Sequence, residues 1–304
     1  MSLTTLLQYN DAWKNFFKEV IPKKKTFDTI SGHAAFSKEY VEQATYKLAN
    51  KYNSAIAGNA FDYIARWMIA RIVNDNKEQS YANLVAEHGI YKCKLEAEKK
   101  GSNIENKYNK GLECCKKYVY GKDNLSEVIK VAIFFSKLEQ VFRRRLLPTE
   151  VNLELLFEIE EEIVNDLFRL SSIFYVIMIQ SGIITKESVV VYNPSFGGAS
   201  FFCGGADADI FVDGTLYDFK CTKNRGYNWK DVAQIVGYFL LDGLAKKYND
   251  QENDLNNYEI NKLAFYRARY GEIEFFEAER VGGRELVECF EKSLLKGDYE
   301  EYIK

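Results

Sequence analysis

Between Gly204 and Lys223 the chain reads GGADADIFVDGTLYDFKCTK, which sets four aspartates and two lysines close together in sequence. Asp213-Gly214, flanked by two runs of β-forming residues, is a strong signal for a two-residue hairpin turn. That turn predicts a register in which Val212 pairs with Thr215, Phe211 with Leu216 and Ile210 with Tyr217. Asp209 then faces Asp218, and Asp207 faces Lys220. Directly opposed residues on an antiparallel pair share a face, with Cβ atoms about 4.5–5.5 Å apart, and like charges placed there repel. A hard divalent cation takes carboxylate oxygens and would remove the repulsion between Asp209 and Asp218. A polar, solvated sheet face with a slipped register is the plain alternative. Against it stand Lys220 on the same face, and Ile210, Val212, Tyr217 and Phe219, which share the opposite face and pin the register. Asp207 suits an ion pair with Lys220 better than a metal.

The elements that must position these groups follow from periodicity. Residues 2–21 read as an amphipathic helix ended by Pro22, and 37–51 as a second helix carrying Tyr40, Val41, Ala44 and Leu48. A third, 59–73, carries Phe61, Ile64, Ala65, Met68 and Ile72. Asp62 lies near its start, where an acid suits the helix dipole, and an i,i+4 ion pair with Arg66 is its simplest role. The Lys/Glu-rich stretch 80–121 reads as surface helices. A helix over 124–146 follows, then a long one over 152–180, acidic at Glu158–Glu162 and apolar in its second half. After Gly182 the pattern turns strand-like at Ser188–Tyr192, and a Gly/Ser-rich loop over 193–202 leads into the hairpin. A helix over 229–247 carries Gln234, Tyr238 and Asp242 in line. Strands over 261–268 and 272–278 and a helix over 284–295 close the chain. His33 and His88 are isolated and receive no role.

Composition bounds the class. With 304 residues, 47% hydrophobic content and only 3 prolines, the chain is a globular one rich in helices. A net charge of −3 makes it no general magnet for nucleic acid, so any such partner needs a local basic surface. Lys23–Lys25, Lys99-Lys100, Lys116-Lys117 and Arg143–Arg145 are candidates, although each such run suits a solvated helix face equally well. None of the six cysteines has zinc-finger spacing, which suggests free thiols in a reducing compartment. No basic segment followed by an apolar core opens the chain, and no run nears about 18 consecutive apolar residues. The expectation is a cytoplasmic protein with no membrane span.

The order helix, strand, hairpin, helix, strand, with an Asp followed by Asp218-Phe219-Lys220, resembles the PD-(D/E)XK nuclease superfamily. Gln234-x-x-x-Tyr238 is similar to the QxxxY element of its RecB-like branch, and Gly58-x-x-x-Asp62 stands where that branch often has Gly-x-x-x-His. The resemblance implies an α+β fold with an αβββαβ restriction-endonuclease-like core over 151–304 and a helical region over 1–150 packed on or inserted into it. It implies hydrolysis of phosphodiester bonds, of DNA in the first instance with RNA left open. Asp209 and Asp218 would hold Mg²⁺, or Mn²⁺ in its place, with Asp62 as a further ligand. Lys220 would assist the attacking water and the charge developing on phosphate. Gln234 and Tyr238 would support the site, and Lys223, Arg225 and Lys230 would contact phosphates. A glutamate of the 158–162 run is the alternative further ligand. The cysteine pattern of the iron–sulfur members is missing, so no cluster is expected. A catalytically silent binding or interaction module of the same fold is the alternative function.

Overall fold

The computed structural model describes residues 3–295. Two short helices, α1 (Leu3–Tyr9) and α2 (Asp11–Val20), replace the single N-terminal helix expected, because the Asn10 side chain accepts from the amides of Ala12 and Trp13 and starts a new helix. A two-residue strand, β1 (Asp28–Thr29), follows. The helix expected over 37–51 does not form. That stretch is irregular, and the amides of Gln43 and Ala44 both donate to the carbonyl of Arg269. Tyr40, Ala44 and Leu48 are buried as their spacing suggested, while Val41 is exposed.

Helix formation begins instead at Asn50, whose side chain caps α3 (Lys51–Ile72). This helix is eight residues longer at its start than its apolar stripe indicated, and it runs through the middle of the molecule. Next come α4 (Val85–Lys99), α5 (Ile104–Val119) and α6 (Leu125–Arg143), the last two capped by Asn103 and Asn124. The long helix expected over 152–180 is broken into α7 (Leu153–Phe157) and α8 (Glu161–Phe174), with a wider π-type turn over Tyr175–Gln180. The buried ammonium of Lys137 causes the break. It takes the carbonyls of Leu155 and Glu158 at 2.8 and 2.7 Å and pairs with the Glu160 carboxylate, which satisfies oxygens a continuous helix would have bonded internally.

The sheet follows: β2 (Val190–Tyr192), the short helix α9 (Gly197–Phe202) where a loop was expected, β3 (Ile210–Val212), β4 (Thr215–Lys220), α10 (Trp229–Lys247), β5 (Lys262–Arg267), β6 (Glu272–Glu277) and α11 (Arg284–Phe290). Strand order is β1-β6-β5-β4-β3-β2. All neighbours are antiparallel except β4 and β5, which α10 joins as a parallel crossover. The architecture is therefore α+β, with a six-stranded mixed sheet and a helical N-terminal half. Val212 pairs with Thr215, Phe211 with Leu216 and Ile210 with Tyr217, the register expected from Asp213-Gly214. Both turn residues have positive φ, 46° and 84°, as a hairpin with the right twist requires.

Both faces of the sheet are covered. Ile210, Val212, Tyr217, Phe219 and Tyr266 pack with α3, α6 and α8 on one side. Phe211, Leu216 and Phe265 pack with α1, α2 and α10 on the other. Each of these cores draws residues from both sides of position 150, so residues 1–150 and 151–304 do not pack as separate bodies. Among the described residues no helix is long and apolar enough to cross a membrane.

Candidate functional site

The hairpin ladder ends at the Ile210–Tyr217 pair, and Asp209 and Asp218 are the next residue on each arm beyond it. The Asp209 carboxylate reaches across and accepts from the amide of Phe219 at 2.5 Å, which ties it to the residue beside Asp218. Asp218 is only 4% exposed, because its strand lies inside a sheet covered on both faces. Burial, reinforced by the negative charge of Asp218 and opposed by the Phe219 N–H, pushes the Asp209 carboxyl up to about 7. Burial raises Asp218 too, with Lys220 pulling against it.

Lys220 stands two residues beyond Asp218 on the same strand and the same side. Its Nζ lies 2.7 Å from Oδ2 of Asp218, an ion pair by distance although off hydrogen-bond alignment. Asp231, in the first turn of α10, lies 3.8 Å from the same ammonium. Burial works against the charge on Lys220, yet Asp218 and Asp231 outweigh it and hold the ammonium above its ordinary range. The expected pairing of Asp207 with Lys220 does not occur. Ladder pairing stops at Ile210, and Asp207 turns toward β2, where Ser195 bridges its backbone and the Asn193 amide donates to its carboxylate at 3.2 Å.

Asp62, on α3, joins this group from the far side. Burial pushes its carboxyl well above the usual range, and the charges of Asp209, Glu139 and Asp218 push it further. The simple ion pair with Arg66 is absent, since that guanidinium donates to Oδ1 of Asn193. Asp62 and Asp209 line one small cleft together with Asn59, Glu139, Arg66 and Arg143. Glu139, on α6, is the glutamate that reaches the site. It accepts from Tyr63 at 2.7 Å and pairs with Arg143 at 2.5 Å. The glutamates of the 158–162 run do not reach it. Glu160 holds Lys137 and Glu162 accepts from Asn53 at 2.5 Å, both at the breaks and starts of neighbouring helices.

From α10, Gln234 donates to the Tyr238 hydroxyl at 2.7 Å, which leaves the phenol's own proton for another acceptor. Burial and the charges of Asp207, Asp218 and Asp209 hold that phenol well above its ordinary range, so it remains a protonated donor beside the carboxylates. The helical spacing of Gln234 and Tyr238 thus lets the two side chains hydrogen-bond each other.

The basic residues expected near phosphate have other tasks. Arg225 donates to the carbonyl of Tyr40 and lies over the Tyr270 ring at 5.6 Å, and Lys223 lies over Tyr46 at 5.1 Å. Both fasten the irregular 37–50 stretch to the sheet. Lys230 is exposed on the first turn of α10. The cations at the cleft are instead Arg66 and Arg143, and of these only Arg143 belonged to a basic run visible in the sequence. Glu139 and Arg66 each carried a faint signal, the i,i+4 spacing of Glu139 to Arg143 and of Asp62 to Arg66; Asn193 carried none.

Buried carboxylates raised by burial and by each other are a donor set suited to a hard cation. As the side chains stand, no three metal-ligating groups among the described residues converge on one point, and Lys220 supplies the positive charge at Asp218. No protein-family model, curated protein or solved structure matches the chain.

Proposed function

We propose that the chain is a divalent-metal-dependent nuclease with its site at Asp209, Asp218 and Lys220. The observation that carries this reading is the nearness of Asp209 and Asp218 on a covered sheet, where burial raises both carboxyls and the charge of Asp218 raises Asp209 further. Apart from the short α9 between β2 and β3, the order α8, β2, β3, β4, α10, β5, in which three antiparallel strands precede a crossover to a parallel fourth, accords with the αβββαβ core of the PD-(D/E)XK superfamily. Tyr238, which feels the charges of the same carboxylates and is held by Gln234, supports the reading.

Asp209 and Asp218 would hold Mg²⁺ or Mn²⁺, with Asp62 as the third donor, and the bound ion would stabilise negative charge developing on the transferring phosphate. Lys220 adds a second, fixed positive charge on the same side. Asp231 and Asp218 keep that lysine protonated and aimed along the strand. Tyr238, whose hydroxyl accepts from Gln234, keeps its own proton available to an acceptor at the site. DNA is the substrate class, and RNA is the comparison substrate of the assay.

One observation favours a second reading, a silent binding module: Lys220 already neutralises Asp218 without a metal. Cleavage of linear and circular DNA and of RNA, with and without Mg²⁺, separates the two. Metal-dependent cleavage lost in Lys220→Ala supports the nuclease; no cleavage under any metal supports the module.

A further inference from the structure

Next to the carboxylates the surface opens into a cavity of 630 Å³. That size falls in the range of about 300–1,000 Å³ common to small-molecule sites. The cavity shares Arg66, Asn193 and Asp207 with the cleft of Asp62 and Asp209, so whatever occupies it borders the proposed site of cleavage.

Two polar atoms of its lining residues are buried and without a hydrogen-bond partner: Nε of Arg66 and the hydroxyl of Tyr192, each on a residue only 7% exposed. A buried donor left unsatisfied costs about 1–3 kcal/mol, which a ligand carrying acceptors would recover. Gln79, Asn83 and Asn257 line the same cavity as exposed carboxamides, and each presents a donor beside an acceptor.

Charge decides what kind of ligand fits. Asp207 and Asp254 face the cavity against the single guanidinium of Arg66, which already serves Asn193. A phosphate is disfavoured there. A neutral, planar group with alternating donors and acceptors matches, and carboxamide side chains pair bidentately with such base edges. We infer that this cavity receives one unstacked nucleobase of the substrate strand and reads its edge through Tyr192, Arg66 and the carboxamides. The position of that base relative to the bond cleaved rests on the nuclease reading; its binding does not.

The test uses the four deoxynucleosides, which carry no phosphodiester, titrated calorimetrically into the metal-free wild-type protein, with inorganic phosphate as competitor. At least one nucleoside binds, and phosphate does not displace it. Tyr192→Phe, which removes only the hydroxyl, weakens binding roughly three- to tenfold, the effect of one lost hydrogen bond. The exposed pair Gln79→Ala and Asn257→Ala gives a second loss with the melting temperature unchanged. Absence of nucleoside binding, displacement by phosphate, or binding untouched by both sets of changes overturns the inference. Nucleoside binding without metal-dependent cleavage leaves the inference standing and sinks the nuclease reading; cleavage without nucleoside binding does the reverse.

Discussion

The carboxylate of Asp209 accepts a hydrogen bond from the amide of Phe219 at 2.5 Å, so an acid from one arm of the hairpin is clamped to the other arm beside Asp218. The clamp holds two like charges together at a place where the sheet is covered on both sides. It is a cost to the empty fold and a resource for binding a cation.

That cost can be measured. Asp209→Asn keeps an oxygen that can accept from Phe219 and removes the charge. The metal-free variant is expected to melt higher than wild type at pH 8, by about 2–4 °C for each kcal/mol of repulsion relieved, while losing cleavage. A lower melting temperature at pH 8 contradicts the account of Asp209 as a destabilised acid.

The same argument sets a pH dependence. Asp209 ionises at about 7 in the fold against 3.8 for the ordinary aspartate. Between those values the native state holds a proton that the unfolded chain has released, so native stability falls as pH rises through that window and levels off above it. Melting temperature without metal should decline from pH 4 to pH 7 relative to Asp209→Asn, and the stabilisation by Mg²⁺ should grow over the same interval. Equal slopes for the two proteins would count against it.

Tyr238→Phe tests the α10 pair. It removes the phenolic donor and leaves the ring that packs 5.7 Å from Phe196. Cleavage should fall roughly three- to tenfold with little change in stability. A fall in stability alone would make Tyr238 a packing residue.

Glu162→Gln tests the correction to the acidic run. The glutamine still accepts from Asn53, so fold and cleavage should both be retained, whereas Glu139→Gln should impair cleavage through the charge it contributes beside Asp62. Impaired cleavage by Glu162→Gln would return that run to the site.

Much of the sheet was legible because its determinants are local. Asp213-Gly214 set the turn, the turn set the register, and alternation placed Asp218 and Lys220 on one side. The helix after the hairpin was legible for the same reason, with Asn228 as its cap. What escaped was decided by distant partners. The 37–51 stretch has helical spacing but is held by a carbonyl from Arg269, more than 200 residues away, and the 152–180 helix is broken by the ammonium of Lys137. Asp207 looked like a partner for Lys220 because the register was extended past the point where the strand ends. Glu139 and Arg66 reach the site only through the packing of α3 and α6 against the sheet, which no short-range pattern reports. The asparagine caps at Asn50 and Asn124 were readable signals that mark two of those helix starts.

The measurement that bears most directly on the central claim compares DNA cleavage by wild type and Lys220→Ala with Mg²⁺ or Mn²⁺, each protein first shown to be folded. Removing the ammonium leaves Asp218 buried without its partner, so Lys220→Ala should be less stable without metal and regain stability when metal is added. Wild type is expected to cleave only with metal, and Lys220→Ala to lose about 10²–10³ of the rate, as for removal of one preorganised charge-stabilising group. Equal cleavage by the two proteins, or a wild type that neither cleaves nor gains stability with either metal, would contradict the account.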